Sequence, residues 1–189
     1  MPRVGLTPDG VVTHALRLID DQGLDALTLA AVAARAGVAT PSLYKHVPGG
    51  LAELRRLIAV RVTEELAERL AESAVGRSGD EAVEAVLRGY HAYALDHPWR
   101  YHALPQAPQP DEELTRAATR LVEVLVAVLR GYGLQGSEAI HAARTLRSAA
   151  HGFAALSITG AFQFSEDPAV TQDRLIRVLT SGLRAWPKD

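Results

Sequence analysis

The chain has 189 residues, of which 48% are hydrophobic and 22% charged, a globular balance that excludes a disordered polypeptide. Its formal net charge of -2 excludes the overall basic footprint of a protein that wraps nucleic acid, and the absence of cysteine excludes disulfides, thiolate nucleophiles and cysteine-held zinc. The opening MPRVGLTPDG lacks an apolar segment followed by a cleavage site, and the stretch from Ser148 to Ser165 carries His151, Thr159 and Gln163, so a cytoplasmic protein with neither leader nor membrane span is expected.

Apolar residues recur at spacings of three and four and strand signals are nearly missing, so the chain is expected to be all-α with about nine helices. Thr7 as cap, Pro8 at the first position and Gly23 as stop mark a first helix over Pro8 to Gln22. A second, alanine-rich helix runs from Leu29 to Ala36 behind the cap Thr28 and ends at Gly37. A third starts with Thr40 as cap and Pro41 at its first position and stops before Pro48, with Leu43 and Val47 facing inward. A long amphipathic helix follows from Leu51 to Ala74, then one from Glu81 to Leu95 that DHPW breaks. Pro105 to Pro110 holds three prolines in a loop expected to be mobile. Further helices are expected over Glu112 to Tyr132, with Leu114, Ala118, Leu121, Leu125, Val128 and Leu129 inward, then Ser137 to Ala161 and Pro168 to Trp186. The expected boundary separates a domain of residues 1–52 from one of residues 53–189.

Three short helices in the first fifty residues, with a glycine turn between the second and third, form a helix-turn-helix pattern. No acidic residue stands between Asp25 and Glu53, whereas Arg35, Lys45 and His46 do, which favours a local face for a polyanion in spite of the net charge. The third helix is then the recognition helix, its hydroxyls placed for base edges or phosphate and its free amide groups adding anion attraction.

The segment ALTLAAVAARAGVATPSLYKHVPGGLAEL, Ala26 to Leu54, resembles the helix-turn-helix of the TetR/AcrR family of bacterial transcriptional regulators. The resemblance rests on Gly37, Val38, Ser42, Leu43, Tyr44 and His46. It implies a ligand-responsive, DNA-binding regulator, a repressor released from a palindromic operator by a small molecule. It also implies that Thr28 and Ser42 bond phosphate or a base, that Tyr44 and His46 clamp the backbone, and that Thr40, Pro41 and Lys45 face the groove. Gly50 stands where the family usually carries a lysine and Val47 where it usually carries phenylalanine, which implies one phosphate contact fewer and weaker non-specific affinity. Beyond residue 54 the resemblance is one of layout: a connecting helix, a ligand-binding bundle and two C-terminal helices for dimerisation. RSAAHGFAALSITGAFQF also resembles a His-Gly-containing subset of such C-terminal domains.

In the second half, Tyr90, Tyr93, Trp99, Tyr101, His102 and Phe153 are the candidates for an apolar ligand pocket between helices. Ala142 and Ala149, with Leu175, Leu179 and Leu183, are the candidates for a four-helix homodimer core. The seven histidines show no metal-ligand spacing, and no cofactor is expected. His141 and His151 share a polar helix face with Arg144 and Ser148. Two other readings remain: a helical small-molecule-binding protein with weakened DNA binding, and a helical-bundle enzyme with His91, His97, His102 or His151 as general base, for which no nucleophile or carboxylate pair stands at a telling spacing.

Overall fold

The computed structural model describes residues 6–105, 107 and 109–187, and among these the protein has nine α-helices and no strand. They are α1 (Pro8–Gln22), α2 (Leu29–Ala36), α3 (Thr40–Leu43), α4 (Gly50–Ala74), α5 (Gly79–Asp96), α6 (Pro98–His102), α7 (Glu112–Leu129), α8 (Gly136–Ile158) and α9 (Pro168–Arg184). The expected all-α class holds. Among the described residues no helix is long and apolar enough to cross a membrane. The loop from Pro105 to Pro110 includes Gln106 and Pro108, which lie outside the described residues.

The chain divides into two compact units, one of residues 1–63 and 97–115, the other of residues 64–96 and 116–189. This division differs from a single boundary after residue 52, because the N-terminal unit also includes α6 and the start of α7. The 25 residues of α4 run from the first unit into the second.

Local signals set the ends of α1 and α2. The Thr7 and Thr28 hydroxyls accept from the Gly10 and Ala31 amides at 3.0 and 3.1 Å, and each cap is worth about 1 kcal/mol. Gly37 closes α2 in the left-handed conformation at φ 68°, where its amide and that of Val38 bond back to Ala34 and Ala33. The α1 stripe of Val11, Val12, Ala15, Leu16, Leu18 and Ile19 packs with Leu27, Val32, Leu43, Val47, Leu54, Ile58 and Val62 into one core.

The short helix α6 is a correction to the sequence expectation of a break followed by loop. Its five residues are too few for periodicity to register, and its stability comes from partners distant in sequence. Tyr101 is buried. Trp99 lies over Gly23, where a Cβ would stand 3.5 Å from the indole and where φ is 84°. The Arg100 guanidinium donates to both Asp20 oxygens, at 2.9 Å from Nε to Oδ1 and 2.5 Å from Nη2 to Oδ2. Further along, Asp111 caps α7 by accepting from the Leu114 amide at 2.7 Å and meets Arg56 at 3.0 Å, while Glu113 meets Arg56 at 2.8 Å. The Leu114 bond first, with the charge of Arg56, holds the Asp111 carboxyl below its usual range.

In the C-terminal unit the helices pack on a core that includes Val83, Val86, Leu87, Leu125, Leu129, Leu146, Phe153 and Ile176. On α7 the buried alanine is Ala117, not the expected Ala118, which is exposed. The Tyr132 hydroxyl donates to Asp80 Oδ1 at 2.7 Å and Arg184 pairs with Asp80 Oδ2, which ties the end of α9 to the start of α5. Trp186 lies beyond the end of α9, its indole N–H donating to Glu138 at 2.7 Å.

Candidate nucleic-acid interface

The recognition segment is shorter than expected. The residue that caps α3 is Ala39, without a side-chain bond, and Thr40 is already helical, so Thr40 is not the cap and Pro41 is one place further in. After Leu43 the chain continues as a turn in which the His46 and Val47 amides donate to the Leu43 carbonyl at 2.8 and 2.9 Å. Four helical residues align too few peptide dipoles for the anion attraction expected at this end. What holds the segment is burial: Leu43 and Val47 are both 0% exposed.

Outward from those two anchors, Tyr44 is 51% exposed, Lys45 and Pro41 are exposed, and Thr40, Ser42 and His46 are half-buried. Thr28, at the start of α2, is exposed with its oxygen engaged as a cap, which leaves its hydroxyl hydrogen free to donate. A Cβ at Gly50 would stand 3.7 Å from the Tyr44 ring and 3.9 Å from Leu29. The start of α2, the turn after α3 and the start of α4 therefore border one another.

The charge at this face is narrower than the sequence suggests, because Arg35 is engaged with Asp21 at 2.5 Å. Aspartates elsewhere in the unit are neutralised in the same way, Asp9 by Arg61 and Asp20 by Arg100. Lys45 has no ion pair among the described residues. Gly50 has a φ of 68°, so a side chain there would be strained, and the lysine that the family usually carries has no unstrained place on this backbone.

Residues 11–48 match the family described as bacterial regulatory proteins, tetR family, and residues 83–179 match the tetracyclin repressor-like C-terminal domain. The chain belongs to the tetR family. Among relatives of this tetR-family protein, an uncharacterized HTH-type transcriptional regulator of Mycobacterium tuberculosis is 37% identical over 94% of this chain and 82% of its own length. The HTH-type transcriptional repressor DrrR1 of Streptomyces coeruleorubidus is 35% identical over 75% of this chain and 50% of its own. A TetR variant from Acinetobacter baumannii, solved in complex with minocycline, has the same fold at a TM-score of 0.73 and 20% identity, with 97% of this chain and 100% of that one covered. The protein is thus a DNA-binding transcriptional regulator with the helix-turn-helix of the tetR family.

The aromatic candidates of the second half fall in two places. Tyr90, Tyr93 and Phe153 are buried in the C-terminal unit, whereas Trp99, Tyr101 and His102 belong to the N-terminal one, where the indole covers Gly23 and Tyr101 is buried. In the C-terminal unit polar side chains of α5, α8 and α9 pair with one another, one of them against Phe153. His91 Nε2 lies 3.0 Å from Ser157 Oγ and its ring meets Phe153 edge-on at 4.9 Å, while the Tyr90 hydroxyl lies 3.4 Å from His151 Nδ1. Gln172 on α9, itself buried, also bonds His91. Spacing along the sequence could not reveal this cluster, since α5, α8 and α9 each bring part of it.

Burial holds both His91 and His151 below the usual histidine value of 6.5, with Gln172 opposing the shift at His91 and Arg147 adding to it at His151. The folded protein therefore binds fewer protons than the unfolded chain just below that value. The stability these groups contribute is complete above it and is lost as the pH falls through the folded pKa. Melting is expected at lower temperature at about pH 5 than at about pH 7, and His91→Gln is expected to flatten that slope. A variant with the wild-type slope would remove His91 as its source.

Two of the dimer candidates are corrected. Ala142 and Leu183 are 0% and 2% exposed within a single chain, so they pack on their own protomer and have no surface to offer a second. Ala149, Leu175 and Leu179 are half-buried, and the sequence reading missed Val178, exposed to 68% on α9. The polar face of α8 with His141, Arg144 and Ser148 lines an open groove with Trp186, whereas His151 turns to Tyr90.

Proposed function

We propose that the protein is a homodimeric, ligand-responsive repressor in the cytoplasm that binds a palindromic operator and is released from it by a small molecule. One observation carries the DNA-binding geometry: an exposed Tyr44 and Lys45, with Thr40, Ser42 and His46 beside them, stand on two fully buried anchors, Leu43 and Val47. In this reading Ser42 and Thr28 donate to phosphate or a base, Tyr44 and His46 clamp the backbone, and Thr40, Pro41 and Lys45 face the major groove. No chemical change of the ligand is required, and the protein acts as a binding switch and not as an enzyme.

The dimer sets the spacing of the two recognition segments, which must lie about 34–36 Å apart to enter successive major grooves. In this reading Ala149, Leu175, Leu179 and Val178 form the contact between protomers. The ligand is a small molecule with an apolar body, bound in the C-terminal unit near Tyr90, Tyr93 and Phe153, where His91 and His151 add neutral polar partners. Ligand binding favours a different spacing, transmitted along α4, and a coupling of about 1–3 kcal/mol changes operator affinity about 5- to 150-fold.

Selection of bound fragments from the source genome tests the reading. Enrichment of one motif with two-fold symmetry and half-sites one helical turn apart is the expected result. Recovery without symmetry, or retention that ignores salt, would overturn it. The identity of an inducer follows from a calorimetric screen of lipophilic metabolites and from release of the selected fragment by those that bind.

A further inference from the structure

The start of α4 carries a carboxylate that caps the helix and that the DNA-binding reading does not require. Glu53 reaches back so that its Oε2 accepts the Gly49 amide at 2.6 Å. The contact is close enough that a Cβ at Gly49 would stand 2.9 Å from the Glu53 Cβ. This position borders the proposed interface directly, since the next residue, Gly50, lies against the exposed ring of Tyr44. Glu53 is also the first acidic residue after Asp25, so the whole recognition segment is free of negative charge up to this point.

Five other carboxylates of the N-terminal unit, Asp9, Asp20, Asp21, Asp111 and Glu113, each meet an arginine. Glu53 has no ion pair among the described residues. An amide oxygen at this place also accepts the Gly49 N–H, though more weakly than a carboxylate, and a negative charge in the first turn of α4 adds about 0.3–1 kcal/mol through the helix dipole. Besides that local contribution, the charge borders the Tyr44 face, which the proposed function assigns to a polyanion.

We infer that Glu53 is a built-in negative determinant of DNA affinity. Its carboxylate occupies the amide that a backbone phosphate would otherwise approach and repels the strand beside Tyr44. It thereby lowers sequence-independent binding and leaves discrimination to the base contacts of the recognition segment. Sequence-independent affinity comes from phosphates and their released counterions, so one uncompensated carboxylate acts on that part and leaves base readout intact. The inference rests on the proposed placement of the DNA-binding face.

Glu53→Gln keeps the bond to the Gly49 amide and removes the charge. Binding of wild type and variant to a mixed-sequence duplex of about 30 base pairs, titrated across salt concentrations, is expected to show a gain of about three- to tenfold for the variant at low salt. The gain should shrink as salt rises, and the variant should melt only slightly below the wild-type temperature, by the small dipole contribution of the lost charge. Because operator affinity gains no more than the mixed duplex does, the ratio of the two is expected to fall or stay level. Glu53→Ala, which removes the charge and also frees the Gly49 amide, is expected to show at least that gain with a lower melting temperature. Equal salt-dependent binding by wild type and both variants overturns the inference and leaves the DNA-binding reading standing. Absence of salt-dependent binding by every protein overturns both.

Discussion

Leu43→Ala is expected to destabilise the N-terminal unit by about 2–5 kcal/mol and to abolish operator binding with it. Leu43 is fully buried in the core that α1, α2 and α4 share, and α3 has little else to hold it. Four residues cannot sustain a helix in isolation, the cap Ala39 offers no side-chain bond, and the turn that follows hangs on the Leu43 carbonyl. A cavity at this position therefore removes both the anchor and the register of Tyr44, Lys45 and His46. The two tryptophans make the effect separable, because Trp99 belongs to the N-terminal unit and Trp186 to the C-terminal one. In a Trp186→Phe background, denaturant titration followed through Trp99 reports the first unit. An unchanged midpoint together with wild-type operator affinity would show that the recognition segment is held by something other than its buried leucine.

Tyr44→Ala combined with His46→Ala is expected to weaken operator binding by about ten- to a hundredfold, the loss of one or two hydrogen bonds to a charged partner. Folding should be little affected, by about 1 kcal/mol or less, because Tyr44 is half exposed and the contribution of His46 to the turn is its backbone amide, which alanine retains. Contacts to phosphate carry no sequence information, so the loss should be similar on the operator and on an unrelated duplex. Ser42→Ala separates the two partners open to that hydroxyl: a base contact makes the loss larger on the operator, a phosphate contact makes it equal on both duplexes. Titration of both duplexes with the melting temperature measured alongside decides the matter: a well-folded double variant with unchanged affinity removes Tyr44 and His46 from the interface.

Much of this fold is legible residue by residue because the interactions that set it are short in sequence. Thr7 and Thr28 reach amides three residues away. Gly23 and Gly37 end helices because only glycine takes their positive φ without strain. The inward placement of Leu43 and Val47 follows from their separation by one turn. The helix-turn-helix and the all-α class both belong to this set, and so do the residues that crowd the recognition segment.

Other features depend on partners that no local pattern names. The pairing of Arg100 with Asp20 spans 80 residues, and with the cover of Trp99 on Gly23 it turns a proline-marked break into α6 and brings it into the N-terminal unit. Asp21 removes Arg35 from the count of free cations. Alanine and leucine look alike on a helix whether they pack on their own core or await a second chain, so Ala142 and Leu183 could be sorted from Val178 only by burial. The gathering of His91, Phe153, Ser157 and Gln172 likewise needs three helices in place. Hydrogen bonds within a helical turn and the hydrophobic period are properties of the chain read in order, and from these the sequence determined the helices and the DNA-binding motif. Which charges cancel, which apolar faces remain open and which unit a segment joins depend on distances between residues far apart in that order, and tertiary structure alone decided them.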